Sequence, residues 1–255
     1  MNEYSIPMAI ADFIPVLLFT VSAVILLRDL YAKMNKGNYA LFAAGMIMSI
    51  VAGFMKATWK ILYAANVCDF QRLTQAFMPM QSTGLFFAGL AMIAMMFTKT
   101  AKEQGGAVVK VEKLKAEPAE EAEKLSVVAL PLILLTAPAL LGSTSEVPLY
   151  TSSLVFIIGL VSGLLLMTIV LCIAAARLRK IHVIIFFILT FVLMCGMGYM
   201  GSSAFEAKME GKIALKNWIE QGVNGTAQLL FLLGCIGLHR GGLKELCMYI
   251  KAKKD

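Results

Sequence analysis

Residues 217–239 read NWIEQGVNGTAQLLFLLGCIGLH and form the last long apolar stretch of the chain. Its polar side chains share one wall of a helix at about 100° per residue, and they are Asn217, Glu220, Gln221, Asn224 and Gln228. The opposite wall carries Ile219, Leu229 and Leu233. Because carboxylate and carboxamide groups facing lipid would lack hydrogen-bond partners, the polar wall must face protein or enclosed water. The stretch therefore predicts a membrane-spanning helix with a candidate binding surface along one side.

The composition of the whole chain is that of an integral membrane protein. Of its 255 residues, 59% are hydrophobic and 15% are charged, whereas about 25% of the residues in soluble domains are charged. The net charge of +7 does not predict a nucleic-acid partner, because the basic residues lie in short segments between apolar runs and not among aromatic residues. We therefore expect the protein in a lipid bilayer, either the plasma membrane or an inner membrane.

Runs of about 20 apolar residues, the length needed to cross a bilayer core, recur along the chain. Seven are found, at 8–27, 40–64, 74–98, 125–142, 152–176, 182–203 and 218–239. The fourth contains Pro131 and Pro138, which transmembrane helices tolerate better than soluble helices do. The sequence thus predicts an all-α, polytopic membrane protein with seven transmembrane helices.

Lysine and arginine residues lie mainly on one side of the predicted spans. Alternate loops place seventeen of them on that side and four on the other, while Lys56 and Lys60 lie inside the second span. By the positive-inside rule, the side with more basic residues is cytoplasmic. We therefore expect the N-terminus outside the cell and the C-terminus in the cytoplasm.

This pattern divides the chain into four regions. Residues 1–98 hold the first three spans, 99–124 form a cytoplasmic charged linker, 125–239 hold the last four spans, and 240–255 form a cytoplasmic amphipathic basic tail. The linker is interpreted either as a solvated connection or as a docking site for a cytoplasmic partner. In the tail, apolar residues at helical spacing predict a short amphipathic helix on the inner leaflet. These residues are Leu243, Leu246, Cys247 and Ile250.

Seven spans with termini on opposite sides fit a 3+1+3 arrangement, in which the linker and the fourth span join two groups of three helices. This layout resembles the sugar-efflux SWEET carriers in topology. Their Pro-Gln signature is absent, because the nearest string in this chain is Pro79-Met80-Gln81. The sequence is therefore not assigned to that family.

Polar residues in other spans lie at the same depth as the polar wall of the last span. Together they predict a cavity in the outer half of the membrane, between the second, third and seventh helices. The predicted ligand-binding residues are Asp12, Lys56, Trp59, Lys60, Tyr63, Gln81, Glu220, Gln221, Asn224 and Gln228.

Lys56 is the most informative of these residues, because a lysine inside a bilayer costs about 2.5 kcal/mol or more. It therefore needs an acidic partner or an anionic ligand, and Glu220 is the first expected partner and Asp12 the second. Two other interpretations stay open. Trp59 and Tyr63 are also typical of aromatic residues at the membrane interface, and interhelical hydrogen bonds that fix packing would also use such polar groups.

The chain lacks the motifs of common enzyme classes. His182 and His239 are the only histidines, and no HExxH, GxSxG or phosphate-loop sequence occurs. We therefore expect no enzymatic activity, no cofactor and no bound metal. The favoured function is a membrane carrier for a small polar or amphipathic solute, anionic or zwitterionic. The alternatives are a seven-helix receptor or sensor that uses the same pocket and a structural membrane subunit, and a homo-oligomer is compatible with each.

Overall fold

The computed structural model describes residues 5–97, 149–201 and 203–248, and all regular secondary structure within them is helical. The helices are α1 (Ile6–Ala11), α2 (Phe13–Leu30), α3 (Lys36–Ala64), α4 (Arg72–Gln75), α5 (Phe77–Phe97), α6 (Leu149–Arg177), α7 (Ile181–Met200), α8 (Ser203–Lys208) and α9 (Ile213–Arg240). Six stretches are long and apolar enough to cross a membrane, namely α1 with α2, α3, α4 with α5, α6, α7 and α9. The all-α prediction is confirmed for these residues, and six of the predicted spans are present as helices of membrane-spanning length. The predicted fourth span, 125–142, and the linker, 99–124, lie outside the described residues.

The spanning helices form a closed ring. Each packs against the next one in the chain, from α2 through α3, α5, α6 and α7 to α9, and α9 packs back against α2. At two contacts, α5 with α6 and α9 with α2, the neighbouring helices run in the same direction. The pairs that show this are Ser82 with Gly159, Gly89 with Gly163, Phe19 with Phe231, and Asp29 with His239. The ring thus contains two groups of three helices, α2–α3–α5 and α6–α7–α9, each with an up-down-up course, as a 3+1+3 arrangement requires.

Glycine residues let α5 approach both of its neighbours closely. A Cβ atom at Gly45 of α3 would lie 2.9 Å from the backbone nitrogen of Ala88, and one at Gly89 would lie 2.7 Å from the backbone oxygen of Gly163. Neither distance leaves room for a side chain. Small residues of this kind allow close van der Waals packing between helices in a bilayer. Helix α5 is therefore held tightly between α3 and α6.

Two prolines set where spanning helices begin. Pro15 is the third residue of α2 and Pro79 is the third residue of α5, where a missing N–H costs little because first-turn donors have no intrahelical partner. Three residues before each proline, at Asp12 and Ala76, the regular helix is interrupted by a single turn residue, although both residues keep right-handed helical backbone angles. These breaks separate α1 from α2 and α4 from α5, and they place Asp12 and Phe77 at the helix starts.

The two ends of the ring differ in charge. We call the end that contains the C-termini of α2, α6 and α9 the basic end, since Arg28, Arg177 and Arg240 lie in the last turns of these helices. The other end contains the C-terminus of α3 and the start of α9, and we call it the cavity end.

The chain after α9 folds across the basic end. Residues 241–245 form turns, and Gly242 has a φ of 88°, a conformation that favours glycine. The side chain of Leu243 is buried in the core. Between 241 and 248 the chain therefore does not form the amphipathic helix predicted for the tail, because Leu243 packs into the ring rather than onto a lipid surface. The rest of that predicted helix lies outside the described residues.

Two basic side chains hold this segment by its backbone. Lys33 Nζ donates a hydrogen bond to the carbonyl oxygen of Leu246. Arg177 Nη1 donates one to the carbonyl oxygen of Cys247, over 2.7 Å. Because Lys33 follows α2 and Arg177 ends α6, the segment is fastened to both groups of three helices.

A polar cluster also joins α2 to α9 at the basic end. Asp29 is fully buried, and its Oδ2 lies 2.8 Å from Nδ1 of His239. Arg28 Nη2 lies 2.8 Å from Nε2 of the same imidazole. In a neutral histidine, one ring nitrogen donates and the other accepts, so this geometry lets His239 donate to the carboxylate and accept from the guanidinium. Sequence reasoning did not single out Asp29, although it stands at the end of an apolar run.

Candidate functional site

A cavity of about 110 Å³ lies inside the ring. All six spanning stretches contribute to its wall, whereas the sequence predicted contributions from three helices and from Asp12. The charged and carboxamide residues that line it are Asp12, Lys56, Lys60, Gln81, Glu220, Gln221, Asn224 and Gln228. The structure therefore brings together all the predicted site residues except Trp59 and Tyr63.

The cavity reaches from the cavity end toward the middle of the ring. Lys60 and Ser49 both line it and are separated along α3 by about 16 Å, at about 1.5 Å of rise per residue. The charged side chains occupy the outer part. The floor, on the side of the basic end, is mainly apolar and includes Phe19, Leu85 and Phe231, beside the hydroxyl of Ser49, which donates to the carbonyl oxygen of Gly45 in its own helix. Phe19 stacks on Phe231 with 6.0 Å between ring centroids, which closes the floor with aromatic surface.

Asp12 and Lys60 form a buried ion pair in the outer part of the cavity. Lys60 Nζ lies 2.5 Å from Oδ2 of Asp12, and the two side chains are only 8% and 10% exposed. The break before α2 positions the carboxylate, and α3 supplies the ammonium. Removing one member of such a pair leaves an uncompensated buried charge, so each side chain depends on the other.

Lys56 lies one helical turn deeper than Lys60. Its ammonium stands over the ring of Phe77, 4.2 Å from the centroid, which is a cation–π contact. Within the described ranges, no carboxylate oxygen lies within 4.0 Å of Lys56 Nζ. The ring of Phe77 stabilises the ammonium only in part, so a cation without a carboxylate in contact faces the cavity.

The ion pairs expected for Lys56 are not formed. Glu220 Oε1 lies 3.7 Å from Nζ of Lys216, which precedes it by one turn on α9, and Asp12 is paired with Lys60. Neither carboxylate therefore contacts Lys56 directly as the sequence predicted, although both lie close enough to interact with its charge electrostatically. A partner four residues away on the same helix is within reach without any tertiary contact, which gives Lys216 the advantage.

Carboxamide groups of α9 form the wall opposite α3. Gln221, Asn224 and Gln228 line the cavity. The Oε1 atom of Gln221 is buried and has no hydrogen-bond partner in the part of the chain that the structure describes. Gln228 Nε2 contacts Met194 Sδ at 3.7 Å, and a thioether is a weak acceptor. A buried acceptor without a partner costs about 1–3 kcal/mol, so water or a ligand that donates to this wall would stabilise it.

Trp59 and Tyr63 are not among the lining residues. Their rings stack with 5.6 Å between centroids, and Trp59 Nε1 donates a hydrogen bond to Asp69 over 2.9 Å. Asp69 lies in the connection between α3 and α4, at the cavity end. The two aromatic residues therefore lie at the end of the ring, a position that suits side chains at a membrane interface.

Sequence reasoning missed the contributions of α6 and α7 to the wall. Thr190 lines the cavity, and its hydroxyl donates to the carbonyl oxygen of Phe186 over 2.8 Å. A threonine satisfied by its own helix costs little in a bilayer, so its presence gives no clear signal. Phe77 was missed for another reason, since periodicity does not tell which apolar residue meets a cavity.

The site offers cationic and amide groups for binding. Within the described parts of the chain, no three His, Cys, Asp or Glu side chains lie close enough together to hold a metal ion. Comparison with known proteins gives no relative, because no family model, curated protein or solved structure matches the chain. A functional proposal must therefore rest on the geometry and charge of the cavity.

Proposed function

We propose that this protein is an integral membrane carrier for a small anionic or zwitterionic solute, which binds in the cavity between the spanning helices. The observation that supports this most strongly is the position of Lys56. Its ammonium lies inside the ring, and within the described ranges no carboxylate oxygen is within 4.0 Å of it. Because such a charge costs about 2.5 kcal/mol or more in a bilayer, an anionic group bound beside it would offset that cost.

The opposite wall supports the same proposal. The carboxamides of Gln221, Asn224 and Gln228 can orient a solute by hydrogen bonds while Lys56 holds its anionic group. In the proposed orientation, which the positive-inside rule favours, the cavity end lies on the exterior of a plasma or inner membrane. In this orientation the solute enters from outside, and the protein binds and releases it without a covalent step.

A receptor or sensor is the second candidate, and the apolar floor favours it. Beyond the floor, on the side of the basic end, the buried side chains include the apolar ones of Leu26, Met46, Met92 and Leu238 and the polar ones of Ser22 and Asp29. Ser22 bonds to its own helix and Asp29 to His239, so these residues offer no open polar route to the basic end. A receptor needs no such route. A carrier that faces outward also closes its opposite end, because alternating access exposes the site to one side at a time.

Uptake into proteoliposomes tests the carrier proposal. The purified protein is reconstituted, and uptake of labelled short-chain carboxylates and small amino acids is compared with that of protein-free vesicles. We expect saturable uptake of at least one solute. Lys56→Gln should reduce it by about tenfold or more, because losing a charge-assisted hydrogen bond worth about 1.5–3 kcal/mol weakens binding at least that much.

Lys212→Gln is the matched control, since Lys212 is exposed just before α9 at the same end of the ring. This variant should transport like the original protein. Saturable binding to the solubilised protein without uptake would favour the receptor. Neither binding nor uptake of any member of the panel would contradict both candidates.

A further inference from the structure

The charges around the cavity do not cancel when Lys216, beside it, is included. The charged side chains that line the cavity, Asp12, Lys56, Lys60 and Glu220, sum to zero, and Lys60 is paired with Asp12. Lys216 lies outside the lining and pairs with Glu220, so with it the five residues carry one more positive than negative charge. An uncompensated charge away from bulk water is costly, so a ligand with a single negative charge makes the site neutral. A neutral or zwitterionic ligand leaves the excess charge in place, and a divalent anion reverses it.

The volume limits the size of that ligand. A cavity of about 150 Å³ accommodates benzene, which has about six non-hydrogen atoms. The cavity described above has a volume of about 110 Å³. A solute of at most about six non-hydrogen atoms therefore fits wholly inside it, whereas most sugars and the longer amino acids would project from its open end.

The α9 wall presents a buried acceptor that a hydrogen-bond donor on the ligand can satisfy. The Oε1 atom of Gln221 accepts no hydrogen bond from the described residues, and an acceptor left unsatisfied in a buried position is rare in folded proteins. A hydroxyl group on the solute would supply the missing donor. A solute that carried a carboxylate alone would satisfy Lys56 but not this amide.

We infer that the solute is a monovalent carboxylate of at most about six non-hydrogen atoms that also carries a hydroxyl group. Its carboxylate binds the ammonium of Lys56, and its hydroxyl donates to the amide oxygen of Gln221. An amino acid of the same size is a poorer ligand, because its own ammonium cancels the negative charge that the site needs. Since the solute occupies the cavity of the proposed carrier, this inference rests on the proposed function.

Three probes of nearly equal size separate these requirements: L-lactate has a hydroxyl group, propionate lacks it, and L-alanine carries an ammonium in its place. Equilibrium binding of labelled L-lactate to the purified full-length protein is measured, with the other two probes and succinate as competitors. We expect propionate and L-alanine each to bind about tenfold more weakly than L-lactate, because propionate lacks the hydroxyl donor and the ammonium of L-alanine leaves the excess positive charge of the site in place. Succinate, which is larger and divalent, should not compete.

Two variants assign the interactions to residues. Lys56→Gln should weaken L-lactate binding by about tenfold or more, while Lys56→Arg should retain most of it because the charge is kept. Gln221→Met should remove the advantage of L-lactate over propionate, because neither solute then meets an amide oxygen at this position. Thermal unfolding of each variant shows that it is folded, and Lys212→Gln should bind L-lactate normally.

The possible failures are distinguishable. If L-alanine or succinate binds as tightly as L-lactate, or if L-lactate does not bind, the inferred substrate class is overturned, while uptake of another solute would still support the carrier. If L-lactate binds as expected but does not cross proteoliposome membranes, the substrate class stands and the carrier function is overturned. If Gln221→Met leaves the preference for L-lactate over propionate unchanged, the assignment of the hydroxyl group to this residue is overturned.

Discussion

Two lysines one turn apart on α3 have different surroundings and different consequences for stability. Lys60 forms a buried ion pair with Asp12, whereas Lys56 lies over the ring of Phe77 without a carboxylate within 4.0 Å in the described ranges. The first ammonium compensates a carboxylate in direct contact, and the second has only longer-range attraction to carboxylates. We therefore expect the ammonium of Lys60 to stabilise the fold and the ammonium of Lys56 to destabilise it.

Replacing each lysine by methionine should change stability in opposite directions. Lys60→Met leaves the carboxylate of Asp12 buried without its partner, and breaking a buried pair in this way costs about 3–5 kcal/mol. Lys56→Met removes an ammonium that is expensive in a bilayer, so it should raise the Tm of the ligand-free protein. Thermal unfolding of the two variants in the same detergent measures both effects.

A double substitution provides the control for this pair. Asp12→Asn together with Lys60→Met removes both charges, and it should recover much of the stability lost in Lys60→Met alone. A fall in Tm for Lys56→Met as large as that for Lys60→Met would contradict the assignment of different roles.

At the level of helices, the sequence predicts where the spanning helices lie in the chain, but it does not predict which helices pack against each other. The helix predicted at 40–64 spans Lys36–Ala64 in the structure, and the helix predicted at 218–239 spans Ile213–Arg240. Both are longer than predicted because helices continue past the apolar core that hydropathy detects. Eight predicted site residues line one cavity, since polar groups in a bilayer must face inward. The order of helices around the ring, and with it the role of Phe77, depends on packing between distant segments that periodicity does not encode.

The close contact between α5 and α6 makes one glycine intolerant of a side chain. In Gly89→Ala the new Cβ would lie 2.7 Å from the backbone oxygen of Gly163, so the two helices must move apart, and overpacking of this kind costs about 1–3 kcal/mol. A lower Tm in detergent would show the effect. Gly222→Ala on α9 is the matched control, because no atom lies within 4 Å of its Cβ position, and it should leave the Tm unchanged or raise it slightly. Equal Tm values for the two variants would contradict the tight contact.

For the molecule as a whole, two exposed cysteines test the orientation in the membrane. Cys68 follows α3 at the cavity end and Cys247 lies at the basic end. We expect a membrane-impermeant maleimide to label Cys68 on intact cells and to label Cys247 only after permeabilisation, because the positive-inside rule puts the basic end in the cytoplasm. Cys68→Ser and Cys247→Ser assign each signal to its residue. The reverse labelling pattern would place the cavity on the cytoplasmic side.

The segment after α9 also bears on how the basic end opens. Its backbone is tied to α2 through Lys33 and to α6 through Arg177, so the two halves of the ring cannot separate there while both ties hold. Hydrogen bonds to charged groups contribute about 1.5–3 kcal/mol each, an amount comparable to the binding energy of a small solute. Opening of the basic end would therefore require both hydrogen bonds to break, and a bound solute could drive that change only by binding the open state more tightly than the closed one.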